Sequence, residues 1–475
     1  MKKKFSTKKE VLSIPPLWLS LIPIIVTVIL LGYSVFVLDA QPHFSLFLGG
    51  TTAGLCAYLY GYSWITIREG FKNAIARTIP SLIILLIIGM LVGVWIASGI
   101  VPAIMYFGLK LLVARWFLPL ILILSSVMAL LTGSSWATIG TIGVAAIGIG
   151  EAFGIPPAMT AGAVVSGSFF GDKMSPMSDS TNLTPSVLGV NVFSHIKNML
   201  YTTIPSFIIS LVVFAIIGFT VSGNANASEV TVYTEYILQH FNITPWLLIP
   251  PLTVILLIIK KIPAIPSLIV GVVLGGASYV LLQSGSLGEL SDIINTGVRM
   301  KTQNSELDML FSRGGLESMY SVVILAFVSL ALGGIMNSTG MLHSIVLKMS
   351  GLLNTVGNMT TTVIATSIII NVITANQYLA IILPGQMFEE NYRNHKLKLK
   401  NLTSALEAGG TLTAPLIPWN SNGMFVALTL GVPVVNYAPY AIICWLTLII
   451  VIAFAYLNIK IDRTQAPQEE PEDQQ

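Results

Sequence analysis

The stretch "SGSFFGDKMSPMSDSTNLTP", residues 166–185, interrupts a chain that is otherwise largely apolar. It sets Asp172, Lys173 and Asp179 among prolines, hydroxyls and an amide. A charge buried in a hydrocarbon span is costly unless it is paired or wet. The stretch is therefore either an exposed loop between spans or a working site at membrane depth. Its surroundings decide which.

Of the 475 residues, 54% are hydrophobic and 9% charged, and the mean hydropathy is +0.82. Soluble domains carry about 25% charged residues. The chain reads as an all-α, polytopic membrane protein whose main macroscopic partner is the lipid bilayer. Runs at 17–38, 81–97 and 440–457 approach or exceed the ~20 residues that cross a bilayer. A net charge of +3 gives no reason to expect nucleic acid. The first apolar run is too long for the core of a cleavable signal peptide. Cys56 and Cys444 lie in separate apolar runs and read as small buried hydrophobes.

Basic residues orient the loops, because cytoplasmic loops are enriched in Lys and Arg. Five lysines in residues 1–16 place the N-terminus in the cytoplasm. Arg68, Lys72 and Arg77 read as a cytoplasmic loop, as do Arg393, Lys396, Lys398 and Lys400. The 221–243 loop has no Lys or Arg and is expected outside. The acidic tail, 460–475, returns to the cytoplasm. An odd number of crossings on each side of the outer loop is the arithmetic of two inverted-topology repeats, here 17–220 and 244–459.

The halves align on their polar interruptions. Thr132, Pro176 and Gly189 fall against Thr374, Pro418 and Gly431 at one constant offset, so "LTGSSW" faces "ITANQY" and "PMSDSTNLTPSVLGV" faces "PWNSNGMFVALTLGV". "ASGIVPAIMYFGLKLL" (97–112) likewise resembles "STGMLHSIVLKMSGLL" (338–353). The reading is about ten transmembrane helices, two re-entrant hairpins (117–150 and 356–391) and two broken helices (157–193 and 400–432). The second half carries an additional polar insert near 299–313.

Irregular backbone at membrane depth survives only where protein buries it or it lines a wet cavity. Hydroxyls, amides and freed carbonyls there can replace the water shell of a small hard cation. The first half offers Thr132, Ser134, Ser135, Ser178, Ser180, Thr181 and Asn182; the second offers Asn376, Asn420 and Asn422. The bland alternative is that these are turns, which Ser, Asn, Gly and Pro favour anyway. Recurrence at the matching place in the other half weighs against it.

Carboxylates matter most, since an intramembrane one can hold either a proton or a cation. Asp172 competes with a reading as an ion pair with Lys173, and Glu407 with a place at the cytoplasmic mouth near Lys398 and Lys400. Asp179 has no basic neighbour in sequence and is favoured as a ligand. A Na+ site from Asp179, Ser134 and Asn182 is the expectation. His195 and His343 read as interfacial. Neither a Walker A motif nor a TVGYG filter occurs, which removes support for primary pumping and for that channel class.

"TGSSWATIGTIGVA" (132–145) and "MTAGAVVSGSFFGDKMSPMSDSTNL" (159–183) resemble the NhaC-type Na+/H+ antiporter family of the ion-transporter superfamily, and the resemblance runs from the first span to the last. It implies a multi-pass transporter of a bacterial inner membrane, not an enzyme, with no cofactor and with Na+ and H+ as cargo. The same family includes exchangers of malate and protons for lactate and Na+, which keeps small carboxylates open as alternative cargo. Assembly as a homodimer is expected by analogy.

Overall fold

A computed structural model describes residues 14–38, 40–221, 227–260, 262–302, 305–349 and 354–464. Most of the N-terminal lysine segment, residues 222–226 and most of the acidic tail lie outside the described residues. Among those described, the protein is all-helical, apart from an isolated bridge between Leu397 and Arg463.

In chain order the helices are α1 (Leu17–Phe36), α2 (His43–Tyr60), α3 (Trp64–Ala97), α4 (Ile100–Leu111), α5 (Ala114–Thr132), α6 (Ser135–Thr138), α7 (Val144–Ala152), α8 (Pro157–Met174), α9 (Asp179–Ser186), α10 (Val192–Val221), α11 (Ala227–His240) and α12 (Ile249–Ile259). There follow α13 (Ala264–Leu282), α14 (Leu287–Thr296), α15 (Ser305–Phe311), α16 (Glu317–Ser338), α17 (Met341–Met349), α18 (Val356–Thr374), α19 (Gln377–Asn394), α20 (Leu399–Gly410), α21 (Ser421–Leu430), α22 (Val434–Tyr437) and α23 (Ile442–Tyr456). Seven helices are long and apolar enough to cross a membrane, and up to nine if each of two sharply bent pairs is one span. The protein is a multi-pass membrane protein.

Two local differences from the sequence reading have simple causes. Arg68, Lys72 and Arg77 are not in a loop: they ride on the first turns of α3, which begins at Trp64. Lys and Arg are good helix formers, and Glu69 pairs with both Arg68 (3.6 Å) and Lys72 (3.3 Å). The first hairpin also has longer arms than the apolar pattern suggests, because α5 alone spans 19 residues.

The chain divides into two compact units. In the one formed by Met1–Thr78 and Phe327–Gly351, α1 packs along α2 and α17. The Ser34 and Ser45 hydroxyls meet at 2.7 Å there, and Ser45 also donates to the Leu30 carbonyl at 3.0 Å. Such hydroxyl-to-carbonyl bonds satisfy polar atoms without water.

The unit formed by Ile79–Ala326 and Leu352–Gln475 holds both hairpins and both breaks. Its apolar core runs through α3, α5, α7, α8 and α21, with Trp95, Phe117, Phe169 and Phe425 buried. Trp95 donates its indole N–H to the Gly271 carbonyl at 3.0 Å, pinning α13 to α3. Pro at the first position of α8 suits a helix start, where its missing N–H costs nothing. The returning arm of the first hairpin is not uniform. Between α6 and α7, residues Ile139–Gly143 form a π-helical turn, a widening that sequence periodicity did not announce and that recurs at functional sites.

Candidate functional site

The four interruptions follow one local rule. α5 ends at Thr132, Gly133 takes the left-handed region (φ 62°), and Ser134 caps α6 by accepting the Ala137 N–H at 3.2 Å. α18 ends at Thr374, Ala375 takes the same region (φ 49°), and Asn376 caps α19 by accepting the Tyr378 and Leu379 N–H groups. At the breaks, Ser178 caps α9 and Asn420 caps α21. Gly189 and Gly431 follow them with φ of 64° and 68°. Serine and asparagine stand at these places because a helix start leaves N–H groups that a short side-chain oxygen satisfies. The breaks themselves are short: 175–178 in the first half and 411–420 in the second. Asp172 therefore belongs to the last turn of α8, and Asp179 opens α9.

Tertiary packing brings the interruptions together. Gly133 lies so close to the first break that a Cβ on it would stand 2.6 Å from the Met177 carbonyl carbon. The Ser135 N–H, an orphan donor at the start of α6, bonds the Asp172 carboxylate at 3.2 Å. Thr181 donates its hydroxyl to the Asp172 and Lys173 carbonyls, both at 3.1 Å, closing the break. Asn182 donates to the Pro176 and Ser178 carbonyls at 2.7 Å. In the second half, the Ser421 N–H points to the Ala375 carbonyl (3.4 Å), and Asn371 bridges the Gly410 carbonyl (2.6 Å) to Asn420 (3.1 Å). The halves are tied by Trp136, whose indole N–H donates to Asn422 at 2.7 Å while its ring stacks on Phe425.

Glu407 makes the second tie. It lies on α20, is fully buried, and accepts the Ser180 hydroxyl at 3.1 Å and the Thr184 hydroxyl at 2.5 Å. Ser180 and Thr184 are four residues apart on α9, hence on one face. Ser180 in turn touches Ser178 at 3.2 Å. Glu407 is close enough to act electrostatically on both Asp172 and Lys173. Its position is thus in the protein interior and not at a mouth beside Lys398 and Lys400.

Among the described residues, Asp172, Lys173 and Glu407 are the buried members of the Asp, Glu, Lys and Arg set. Asp172 and Lys173 do not pair, since adjacent helix residues point in different directions and the Lys173 Nζ has no hydrogen-bond partner. Asp179 is exposed and its carboxylate makes no hydrogen bond or ion pair among the described residues, and no hydrogen bond joins it to Ser134 or Asn182. His195 is fully buried against Thr403, at 2.9 Å, rather than interfacial.

Sequence reasoning missed Thr184, Asn371 and Trp136 as members of the site. The spacing of Ser180 and Thr184, and of Asn371 one turn before Thr374, are the signals that point to the first two. Nothing local marks Trp136.

The Na+/H+ antiporter family model matches residues 9–181 and 167–459. The Na(+)/H(+) antiporter NhaC of Alkalihalophilus pseudofirmus is 36% identical over 434 residues, 91% of this chain and 94% of that protein. The arginine/ornithine antiporter ArcD of Halobacterium salinarum is 36% identical over 458 residues, 96% of this chain and 94% of that protein. The malate-2H(+)/Na(+)-lactate antiporter of Bacillus subtilis is 33% identical over 429 residues, 90% of this chain and 92% of that protein.

Proposed function

The chain belongs to the Na+/H+ antiporter family, and from that footing we propose that it exchanges cytoplasmic Na+ for external H+ by alternating access. One observation carries the proposal. Two carboxylates, Asp172 and Glu407, are buried with one ammonium, Lys173, which leaves the site one positive charge short. A buried unbalanced charge is expensive. Either a proton or a Na+ relieves it, and the two compete for the same place. The α8 C-terminus adds partial negative charge beside Asp172, which favours a cation further. Hydroxyl oxygens of Ser178, Ser180 and Thr181, with the cap oxygens of Ser134, Asn376 and Asn420, supply the hard ligands such an ion prefers.

The matched hairpin tips support the reading as two repeats, and the distribution of Lys and Arg along the chain supports their inversion with both termini cytoplasmic. A cysteine at Asn226, in a background lacking Cys56 and Cys444, should label from outside intact cells; labelling only after lysis overturns that topology.

A second reading has its own observation. The unpartnered Lys173 ammonium suits a small carboxylate, as the malate/lactate relative transports. Proteoliposomes containing a pH-sensitive dye separate the two. Antiport of Na+ and H+ predicts a pH change on adding Na+ alone, with an apparent Na+ KM that rises as the pH falls. A response only when malate or lactate is present replaces the first reading with the second.

A further inference from the structure

The polar insert between α14 and α16 has no counterpart in the first half, and the antiport reading makes no use of it. It is built firmly. The Val298 N–H bonds the Arg313 carbonyl at 3.2 Å, the Met300 N–H bonds the Ser312 hydroxyl at 2.8 Å, and the Gly315 N–H bonds the Gly89 carbonyl of α3 at 2.7 Å. Leu307, Leu310 and Phe311 of α15 are buried in the same core as α7. From this platform Arg313 extends its guanidinium to the last carbonyl of α21, with Nη1 donating to the Leu430 oxygen at 2.6 Å.

The guanidinium fills an elbow. α21 and the segment Val434–Tyr440 meet at 90°, and the turn residue Gly431 has a positive φ of 68°. A Cβ on Gly431 would stand 2.8 Å from the guanidinium carbon and from both of its terminal nitrogens. Glu151, near the C-terminal end of α7, is an electrostatic neighbour of Arg313. A cation at a helix C-terminus also meets the favourable end of the dipole. The matching position in the first half is bare: among the described residues, nothing lies within 4 Å of a Cβ on Gly189.

α21 is a rod of ten residues, about 15 Å long. One end is held by Arg313 and the other carries Asn420 and Asn422. We infer that Arg313 is a positioning residue for ion binding: by holding the C-terminus of α21 it sets where Asn420 and Asn422 stand against the first hairpin. This rests on the antiport reading for its substrate, Na+, but not for its geometry.

The test pairs two measurements on the full-length protein. In proteoliposomes, Arg313→Gln is expected to raise the apparent Na+ KM about tenfold, the weight of one charge-assisted hydrogen bond, with little change in kcat. Arg313→Lys keeps the charge but loses the planar fork and should fall between the two. Arg299→Gln removes another cation of the insert, one exposed beside Glu317 at 3.8 Å, and should leave KM unchanged. By hydrogen exchange, amides of 421–430 should lose protection in Arg313→Gln but not in Arg299→Gln. An unchanged KM in Arg313→Gln, or an equal rise in Arg299→Gln, overturns the inference. If Arg313→Gln does not reach the membrane, Arg313→Lys decides by the same criterion. If Na+ moves no protons in the wild type, the antiport reading falls, and exchange at 421–430 still decides Arg313: unchanged protection refutes its role.

Discussion

Around the first tip and break, the polar residues carry charge: Asp172 and Lys173 end α8, and Asp179 opens α9. Around the second tip and break they are amides and hydroxyls: Asn371, Asn376, Asn420, Ser421 and Asn422. The hairpin tips nonetheless match, through left-handed residues at Gly133 and Ala375 and caps at Ser134 and Asn376, and caps at Ser178 and Asn420 close breaks of unequal length. Capping geometry thus fixes where the helices break, and it accepts Ser or Asn alike. Charge is a separate choice, made in one half only. The exception is instructive: Glu407 belongs to the second half by sequence but puts its carboxylate onto Ser180 and Thr184 of the first.

If charge in the first break does the exchange while the second supplies neutral ligands, removing charge should cost most. Glu407→Gln should reduce Na+-driven proton flux in proteoliposomes by about a hundredfold or more, since it removes the surplus buried negative charge that a proton or Na+ would neutralise. Near-normal flux in a variant that reaches the membrane would remove the central claim. Asp172→Asn should follow, with a loss of at least about tenfold, because it too removes the surplus negative charge and weakens the charge-assisted bond from Ser135. A loss as small as that of a second-half amide would erase the distinction between the halves.

Asn420→Ala tests the neutral side. It removes a cap and the bond to Asn371, worth about 1 kcal/mol together in effect on the site. A several-fold rise in Na+ KM with the pH dependence intact is expected; a shifted pH profile would mean that the second half takes part in proton exchange. Asp179→Asn should change flux by less than about twofold, in line with an exposed charge away from specific partners. Strong loss of Na+ response in that variant would return the ligand role to Asp179.

The smallest effect concerns the insert that only the second half carries. The Thr302 hydroxyl and N–H donate to Asp308, both at 2.6 Å, and the Tyr236 hydroxyl donates at 2.8 Å. Thr302's side-chain bond chiefly holds the Asp308 carboxyl below its usual range. The stability it lends is therefore full above about pH 4 and lost as the pH falls through the lowered folded value. The wild-type Tm should drop over that acid window more than the Tm of Asp308→Asn. Parallel curves would show that Asp308 adds nothing to the insert.

The amino-acid sequence alone determined the membrane class, through 54% hydrophobic against 9% charged residues, and it located all four interruptions. Those are local facts: a cap, a left-handed residue and a proline act within a few positions of themselves. It did not reveal that Arg68, Lys72 and Arg77 continue α3, because long basic side chains suit a helix as well as a loop. Nor did it rank the carboxylates. Asp172 is buried and Asp179 exposed only seven positions apart, while Glu407 meets its donors from 223 and 227 residues away. Lipid is as apolar as a protein core, so an apolar stretch does not say which of its faces meets lipid and which meets another helix. Only the assembled helices decide that, and with it which charges are enclosed, which hydroxyls reach them, and what Arg313 holds in place.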